Sequence, residues 1–217
     1  LENFAKPGKT LVGSDSHTPT CGAMAMIAIG AGGLDVAVAM ATGKYYLQCP
    51  SVVKVNLTGT KTPWVSAKDI ILYILKQLTV KGGVNKIIEY TGDGIASLSL
   101  TDRATICNMG AELGATTSIF PTDERTKEYL IQQGREEDYI EMKADEDATY
   151  DQELTVDLST LVPMTAKPHS PDAVVPVQEL EGMKINQVVI GSCTNSSFAD
   201  MMKAAKILKG HKVADHV

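Results

Sequence analysis

Aromatic residues are scarce in this sequence, which has three Phe, seven Tyr and one Trp among 217 residues. Aromatic side chains supply much of the buried area in the cores that contain them. Gly, Ala, Val and Ile are plentiful instead, and hydrophobic residues make up 44% of the chain. This balance favours closely packed layers of helices and sheets, an α/β fold, over an aromatic-rich β-sandwich.

Cysteines are few and far apart. Cys21, Cys49, Cys107 and Cys193 form no CxxC pair and no regular spacing. In a chain of this length, such spacing argues against a disulfide framework and indicates a reducing, intracellular compartment. We therefore predict a cytoplasmic location, or the mitochondrial matrix if the source is eukaryotic.

Long apolar runs and an excess of positive charge are also missing. The longest run of apolar and small residues, 23–41, is interrupted by Gly30, Gly32, Gly33 and Asp35, so it is not a membrane span. The net charge of −6 disfavours a general nucleic-acid-binding surface. We therefore expect neither a membrane nor nucleic acid as a partner.

The periodicity of apolar residues alternates between strand and helix. In 51–59, Val53, Val55 and Leu57 fall on one face, which predicts a half-buried strand. Residues 66–78 have apolar side chains at helical spacing, and Ser66 with Asp69 predicts the N-cap of that helix. Strands and helices in alternation indicate an α/β architecture.

Glycine, proline and composition divide the chain further. The glycines at 30–33 predict two helices within 23–41, and the prolines of 167–177 predict a linker. Residues 184–192 predict a strand that opens a new βα unit, with a helix capped by Ser197 and Asp200 after it. We place domain boundaries near 50 and 170, giving parts 1–50, 51–168 and 169–217.

A cluster of polar residues, Asp15, Ser16 and His17, follows the first predicted strand directly. Functional loops of α/β sheets lie at such strand ends. Asp and His two positions apart can orient one imidazole or bind a hydroxyl or a water together. Alternatively, Asp15 and Ser16 cap the next helix while His17 satisfies a buried backbone group.

Asn108 and Glu112 lie four positions apart in a segment that begins with a helical pattern. If that segment is helical throughout, the two side chains share one face. Such a pair either points inward, which is costly unless hydrogen-bonded, or forms an exposed polar stripe. The pattern alone leaves both interpretations open.

Cys193 stands between the predicted strand 184–192 and a predicted helix. Backbone N–H groups and the helix dipole at such a position stabilise a thiolate, which suits a nucleophile or a metal ligand. No histidine or second cysteine lies close to it in the sequence. Simple burial of a small residue is a third interpretation.

Four blocks of the sequence together resemble the aconitase family of iron–sulfur hydro-lyases. They are GSDSHTPTCGAMAMIAIGAGGLDVAVAMATG, LTVKGG, ATICNMGAELGATTSIFP and VVIGSCTNSSFADM, in that order along nearly the whole chain. GSCTN is the most specific of these signatures. The resemblance implies α/β/α sub-domains with mainly parallel sheets, divided here into the end of a first domain, a whole second and the start of a third.

The resemblance also implies roles for particular residues. Cys193 matches one of three cysteine ligands of a 4Fe-4S cluster. Asp15 and His17 match catalytic residues near the substrate hydroxyl, Ser16 matches a substrate-binding serine, and Glu112 matches a catalytic glutamate that holds water. Two asparagines, Asn108 and Asn195, match the surroundings of the cluster.

The family pattern further implies that the other cluster ligands and the arginines that bind the substrate lie in the remainder of the same polypeptide. We therefore expect an internal portion of an enzyme that acts on a small tricarboxylic acid, with citrate and isocitrate preferred over the substrate of a homoaconitase or 3-isopropylmalate dehydratase. On its own, the portion is expected to hold no stable cluster and to be inactive. Two further alternatives are an RNA-binding protein of the iron-regulatory type and a cluster-independent thiol enzyme that uses Cys193.

Overall fold

Strands and helices alternate along the chain in the computed structural model, which describes residues 1–217. The strands are β1 (Thr10–Gly13), β2 (Ile27–Gly30), β3 (Ser51–Thr58), β4 (Lys86–Thr91), β5 (Thr117–Ile119), β6 (Gln152–Asp157), β7 (Met164–Ala166) and β8 (Val174–Pro176). The α-helices are α1 (Gly33–Thr42), α2 (Ala67–Leu78), α3 (Leu100–Met109), α4 (Glu124–Gln132) and α5 (Phe198–Leu208). None of them combines the length and apolar character that a bilayer crossing requires.

The largest sheet has four parallel strands in the order β5-β4-β3-β6. Its central strand β3 buries Val53, Val55 and Leu57 completely, so the predicted alternation is confirmed. Val53 pairs with Ile88 of β4 and Leu57 with Val156 of β6, which aligns the apolar residues of neighbouring strands. Helices α2 and α3 pack against each other beside this sheet. The α/β class with mainly parallel strands is therefore confirmed.

Helix α2 begins at the predicted cap. The Asp69 carboxylate accepts hydrogen bonds from the backbone N–H and the hydroxyl of Ser66, each at 2.7 Å. Its other oxygen accepts from the backbone N–H of Met164 at 2.6 Å, which ties the cap to β7. One buried carboxylate therefore both starts α2 and fixes the β7–β8 hairpin against it.

The prediction of two helices within 23–41 is wrong in its first half. A 3-10 helix, Thr18–Met24, is followed by strand β2, and only α1 is an α-helix. Strand β2 runs parallel to β1, with Leu11 opposite Ala28 and Val12 opposite Ile29. The pairing partner lies outside the segment, so local periodicity could not reveal it.

Two further predictions near the end of the chain need correction. The predicted linker 167–177 contains β8, which pairs antiparallel with β7 and buries Val174 and Val175. Residues 184–192 form no strand, because no other strand of the structure pairs with them, and Val189 is 84% exposed. β-propensity without a neighbouring strand does not make a sheet.

The domain boundaries near 50 and 170 stay predictions. One apolar core of 31 residues extends from Ala5 to Val174 and crosses both boundaries. The β7–β8 hairpin spans the second.

Helix α3 lies in the middle of this core, with eight buried residues among its ten. Its Arg103 is fully buried and forms an ion pair with Asp123, with one N–H···O distance of 2.9 Å. The guanidinium also donates to the carbonyls of Ile95 and Leu98, at 3.3 and 3.4 Å. Asp123 in turn accepts from the N–H of Thr126 at the start of α4. This ion pair fixes α3 relative to the chain on either side of it.

Replacing Asp123 by Asn should lower the free energy of unfolding at neutral pH by about 3 kcal/mol, because it leaves the buried Arg103 guanidinium without its counter-charge. Burial by itself would raise the pKa of Asp123, but the hydrogen bonds and charge of Arg103 outweigh it and hold this pKa below its ordinary value of 3.8. The stabilisation is therefore complete above about pH 4 and is lost as the pH falls through the folded-state pKa. Urea unfolding of the parent chain and of Asp123→Asn, from neutral pH down through the folded-state pKa, checks the prediction. The prediction fails if the difference between their free energies of unfolding does not shrink as the pH falls.

Gly22 of the 3-10 helix allows that helix to approach β5 closely. A Cβ at this position would lie 1.7 Å from the carbonyl oxygen of Ser118. Gly22→Ala should therefore lower the free energy of unfolding by about 1–3 kcal/mol through overpacking. Gly33→Ala is the matched control, since a Cβ added there, at the open start of α1, would meet nothing within 4 Å. Equal stability of the two variants in urea unfolding would contradict this account.

Candidate functional site

The first part of the site is the segment that follows β1, residues 14–20, which enters the 3-10 helix at Thr18 and which we call the histidine loop. The Asp15 carboxylate accepts a hydrogen bond from the backbone N–H of His17 at 2.7 Å, and the same oxygen lies 3.7 Å from His17 Nδ1. Ser16 Oγ lies 3.4 Å from that nitrogen. The Asp15 side chain is 77% exposed and that of His17 is 30% exposed. The loop therefore presents an accessible carboxylate beside an imidazole.

Close packing against β2 holds the histidine loop at the strand end. The carbonyl oxygen of Asp15 would lie 2.9 Å from a Cβ on Gly30, the last residue of β2. Thr18 donates its hydroxyl to that same carbonyl at 2.6 Å, and Thr20 donates its own to the carbonyl of His17 at 2.7 Å. Short-range hydrogen bonds of this type define the turn locally, as is usual for Ser and Thr in turns.

The second part of the site is a turn at residues 191–195, which we call the thiol turn. Cys193 in it is exposed, and Ser192 before it has a left-handed backbone with φ of 67°. Helix α5 begins only at Phe198, with the predicted cap formed by Ser197, whose hydroxyl accepts from the N–H of Asp200 at 3.2 Å. The predicted helix capped by Ser197 and Asp200 is therefore confirmed. Cys193 lies four residues before this N-cap and is not part of the first turn of α5.

Asn108 and Glu112 do not share a helix face. Helix α3 ends at Met109, and Glu112 lies on the 3-10 helix Gly110–Leu113 that follows. Asn108 is buried, at 2% exposure, whereas Glu112 is exposed. The inward interpretation therefore holds for Asn108 and the exposed one for Glu112.

Asn108 connects the two parts of the site. Its Nδ2 donates to Thr20 Oγ1 in the histidine loop at 3.1 Å, and its Oδ1 accepts from Thr194 Oγ1 in the thiol turn at 3.0 Å. One turn earlier on α3, the Thr105 hydroxyl donates to the backbone carbonyl of Thr194 at 3.2 Å. Both ends of the buried amide thus have a partner, as burial of a polar group requires.

The predicted site residues are distributed over neighbouring clefts. Cys193 lines a cleft of about 790 Å³ together with Thr20 and Thr105. Glu112 lines a second cleft of about 670 Å³, and Thr194 lies in the walls of both. Ser16 and Asn195 line two others. The clefts of Cys193 and Glu112 therefore meet at Thr194, whereas Ser16 and Asn195 line separate ones.

Two of the four thiols are exposed, those of Cys49 and Cys193, and the family resemblance assigns a metal to Cys193 alone. No group of three or more His, Cys, Asp or Glu side chains is arranged to hold a metal ion. Cys107 is completely buried, and burial raises the pKa of its thiol well above the ordinary value. Burial also raises the pKa of the Cys21 thiol. As a donor set, these residues fit one corner of a 4Fe-4S cluster, which takes three or four thiolates, and not the whole of it.

Sequence reasoning missed three residues that connect the site, namely Thr20, Thr105 and Thr194. The available signal was the spacing of Thr105 and Asn108, which lie three positions apart and therefore on one face of a helix that is largely buried. Thr20 and Thr194 carry no comparable signal, since their partners are distant in the sequence.

This geometry defines a class of protein. It is an α/β protein in which a polar loop at a strand end is joined, through a buried amide, to a turn with an exposed cysteine. Residues 1–217 match the Aconitase family (aconitate hydratase), and the chain belongs to this family. The resemblance noted from the four sequence blocks is thereby confirmed.

Curated relatives of two kinds are similar to the chain. The 3-isopropylmalate dehydratase large subunit 2 of Archaeoglobus fulgidus is 44% identical over 217 residues, which are 100% of this chain and 52% of that protein. The mitochondrial aconitate hydratase of Schizosaccharomyces pombe is 49% identical over 222 residues, covering 95% of this chain and 28% of that protein. A 3-isopropylmalate dehydratase large subunit of Clostridium kluyveri is 44% identical over 216 residues, covering 100% of this chain and 51% of that protein. The chain thus spans about half or less of the length of these relatives.

The exposed thiols and the buried thiol of Cys107 should differ in their rates of alkylation. Cys49 and Cys193 are exposed and should react at similar rates with iodoacetamide, whereas the fully buried Cys107 should react at least about 100-fold more slowly because it needs an opening of the core. Quantitative peptide mass spectrometry of the native chain measures each rate, with urea-unfolded chain as the control in which the rates converge. Protection of Cys193 equal to that of Cys107 would contradict the exposed thiol turn.

Proposed function

We propose that the chain is part of an aconitate hydratase, a hydro-lyase that interconverts citrate and isocitrate through cis-aconitate by loss and addition of water. The observation that carries the proposal is the family match along all 217 residues. The 49% identity to a mitochondrial aconitate hydratase supports the choice within the family. Because mitochondrial relatives exist, the matrix is a proposed location beside the cytoplasm.

Cys193 is proposed as one ligand of a 4Fe-4S cluster. Its exposure at the edge of the 790 Å³ cleft leaves room for a large group beside the thiol. Such a cluster, when it has an iron with an open position, supplies a Lewis acid for a hydroxyl and a carboxylate. The remaining thiolates and the groups that bind the substrate carboxylates are assigned to the remainder of the same polypeptide, which is the partner that this portion requires.

The histidine loop is proposed to bind and orient the hydroxyl that leaves as water. Asp15 offers an exposed carboxylate as an acceptor, and His17 Nδ1 lies 3.7 Å from it, so one hydroxyl or water can contact both groups. Ser16, 3.4 Å from the same imidazole nitrogen, adds a hydroxyl for substrate binding. Glu112 is exposed in the cleft that meets that of Cys193 at Thr194, and it is proposed to hold water there. Asn108 and Asn195 are proposed to line the cluster.

A second candidate is the large subunit of a 3-isopropylmalate dehydratase. The relative from Archaeoglobus fulgidus matches the entire chain at 44% identity, and the chain covers more of that protein than of the aconitate hydratase. A homoaconitase would share the same loop and thiol turn. An RNA-binding role of the iron-regulatory type is disfavoured by the net charge of −6.

The full-length protein, purified anaerobically, tests the proposal with citrate, isocitrate and 3-isopropylmalate as competing substrates. We expect dehydration of isocitrate, and we expect Asp15→Asn to lower kcat by about 100-fold or more through loss of the oriented acceptor. Cys193→Ser should reduce the iron and sulfide content, with Cys49→Ser as the exposed-cysteine control that retains both. Turnover of 3-isopropylmalate alone would favour the second candidate. Retention of a complete cluster in Cys193→Ser would refute the role of Cys193.

A further inference from the structure

We propose that Thr20 and Thr194 are positioning residues, joined through Asn108 by a directed series of hydrogen bonds that holds the histidine loop and the thiol turn in one arrangement. The series runs from the Thr194 hydroxyl to Asn108 Oδ1, from Asn108 Nδ2 to Thr20 Oγ1, and from the Thr20 hydroxyl to the carbonyl of His17. It therefore connects the residue after Cys193 with the backbone of His17. The inference rests on the proposed function and deepens it by assigning what aligns the two halves of that site.

The direction of these bonds follows from the number of protons available. A threonine hydroxyl has one proton, and Thr20 gives it to the carbonyl of His17 at 2.7 Å. Thr20 Oγ1 can therefore only accept from Asn108, which requires the NH₂ group of the amide on that side. The amide oxygen then faces Thr194, whose hydroxyl must donate to it at 3.0 Å.

Asn is required at the centre of this series because it carries both donors and an acceptor on a short side chain. An Asn108→Asp substitution would put a carboxylate there that only accepts, and the single proton of Thr20 would then be shared between this carboxylate and the carbonyl of His17. Asn108 is 2% exposed, so water does not readily replace a lost partner. The amide therefore favours one relative position of the two segments.

The thiol turn needs such support because its own backbone is unfavourable. Ser192 has φ of 67°, a conformation that a residue with a Cβ rarely adopts, and it persists only where the surroundings impose it. Thr105 supplies a second attachment by donating to the carbonyl of Thr194 at 3.2 Å. Two groups on α3, three residues apart, thus hold the residue that directly follows Cys193.

Hydrogen exchange tests the connection by changing one segment and measuring the other. Thr194→Val removes the hydroxyl and preserves the shape of the side chain, whereas Thr194→Ser keeps the hydroxyl. We expect Thr194→Val to speed amide exchange of His17 and Thr20 by at least about fivefold, the factor that about 1 kcal/mol of local opening free energy gives. Thr194→Ser should retain the parent rates, and amides of β3 should be unchanged in both variants.

Ser196→Ala is the matched control in the same region. Ser196 donates to the carbonyl of Ser192, and no hydrogen bond joins its side chain to α3, so the histidine loop should be unaffected. Thr194→Ala serves as a second variant if Thr194→Val also speeds amide exchange in β3. Unchanged exchange of His17 in both hydroxyl-less variants, or an equal effect of Ser196→Ala, would overturn the proposal. Because the folded chain suffices, this outcome is independent of whether the full-length protein is an aconitate hydratase.

Discussion

The burial of one amide, that of Asn108, is the constraint on which the arrangement of the site depends. It is 2% exposed, and both of its polar atoms are used by segments that lie 88 and 86 residues away in the sequence. A buried amide without partners is costly, so its requirement for hydrogen bonds favours the conformation in which the two segments approach α3 together. Close packing of the histidine loop against β2 and of the 3-10 helix against β5 adds to these hydrogen bonds.

The position of α3 depends in turn on interactions deeper in the fold. The four-stranded parallel sheet provides the base, and the Arg103–Asp123 ion pair fixes the start of α3 relative to α4. Gly22 lets the 3-10 helix approach β5 closely. This helix carries Thr20, whose hydroxyl oxygen accepts a hydrogen bond from Asn108. Core packing therefore contributes to the distance between the histidine loop and the thiol turn. The polar groups of these segments that face solvent are then available for binding or catalysis.

The parts of this fold that sequence could predict are those decided by near neighbours. The alternation in β3 and the caps of α2 and α5 depend on residues within one or two turns, and these predictions are confirmed. The helical interpretation of β2 is wrong because its partner β1 lies outside the segment, and residues 184–192 have the pattern of a strand without a partner. Pairing over a distance, and not propensity, makes the difference in both places.

The residues of the site likewise fall into those that sequence could identify and those that it could not. Asp15, His17, Glu112 and Cys193 are identified by resemblance to a family, to which the chain belongs, but their roles remain proposals. The threonines that join them escape sequence reasoning, since a hydrogen bond between Asn108 and Thr194 leaves no periodic mark in the sequence. Likewise, the end of α3 at Met109 separates Glu112 from Asn108 although their spacing suits one helix face. The structure therefore adds the hydrogen bonds that connect residues first identified by resemblance to the family.

Nuclear Overhauser effects from the side-chain amide protons of Asn108 in the folded chain test the central claim most directly. We expect contacts from these protons to the methyl protons of both Thr20 and Thr194, together with slow exchange of the amide protons with water. Contacts to Thr20 alone, with rapid exchange of the amide protons, would show that the thiol turn does not rest on α3 and would contradict the claim.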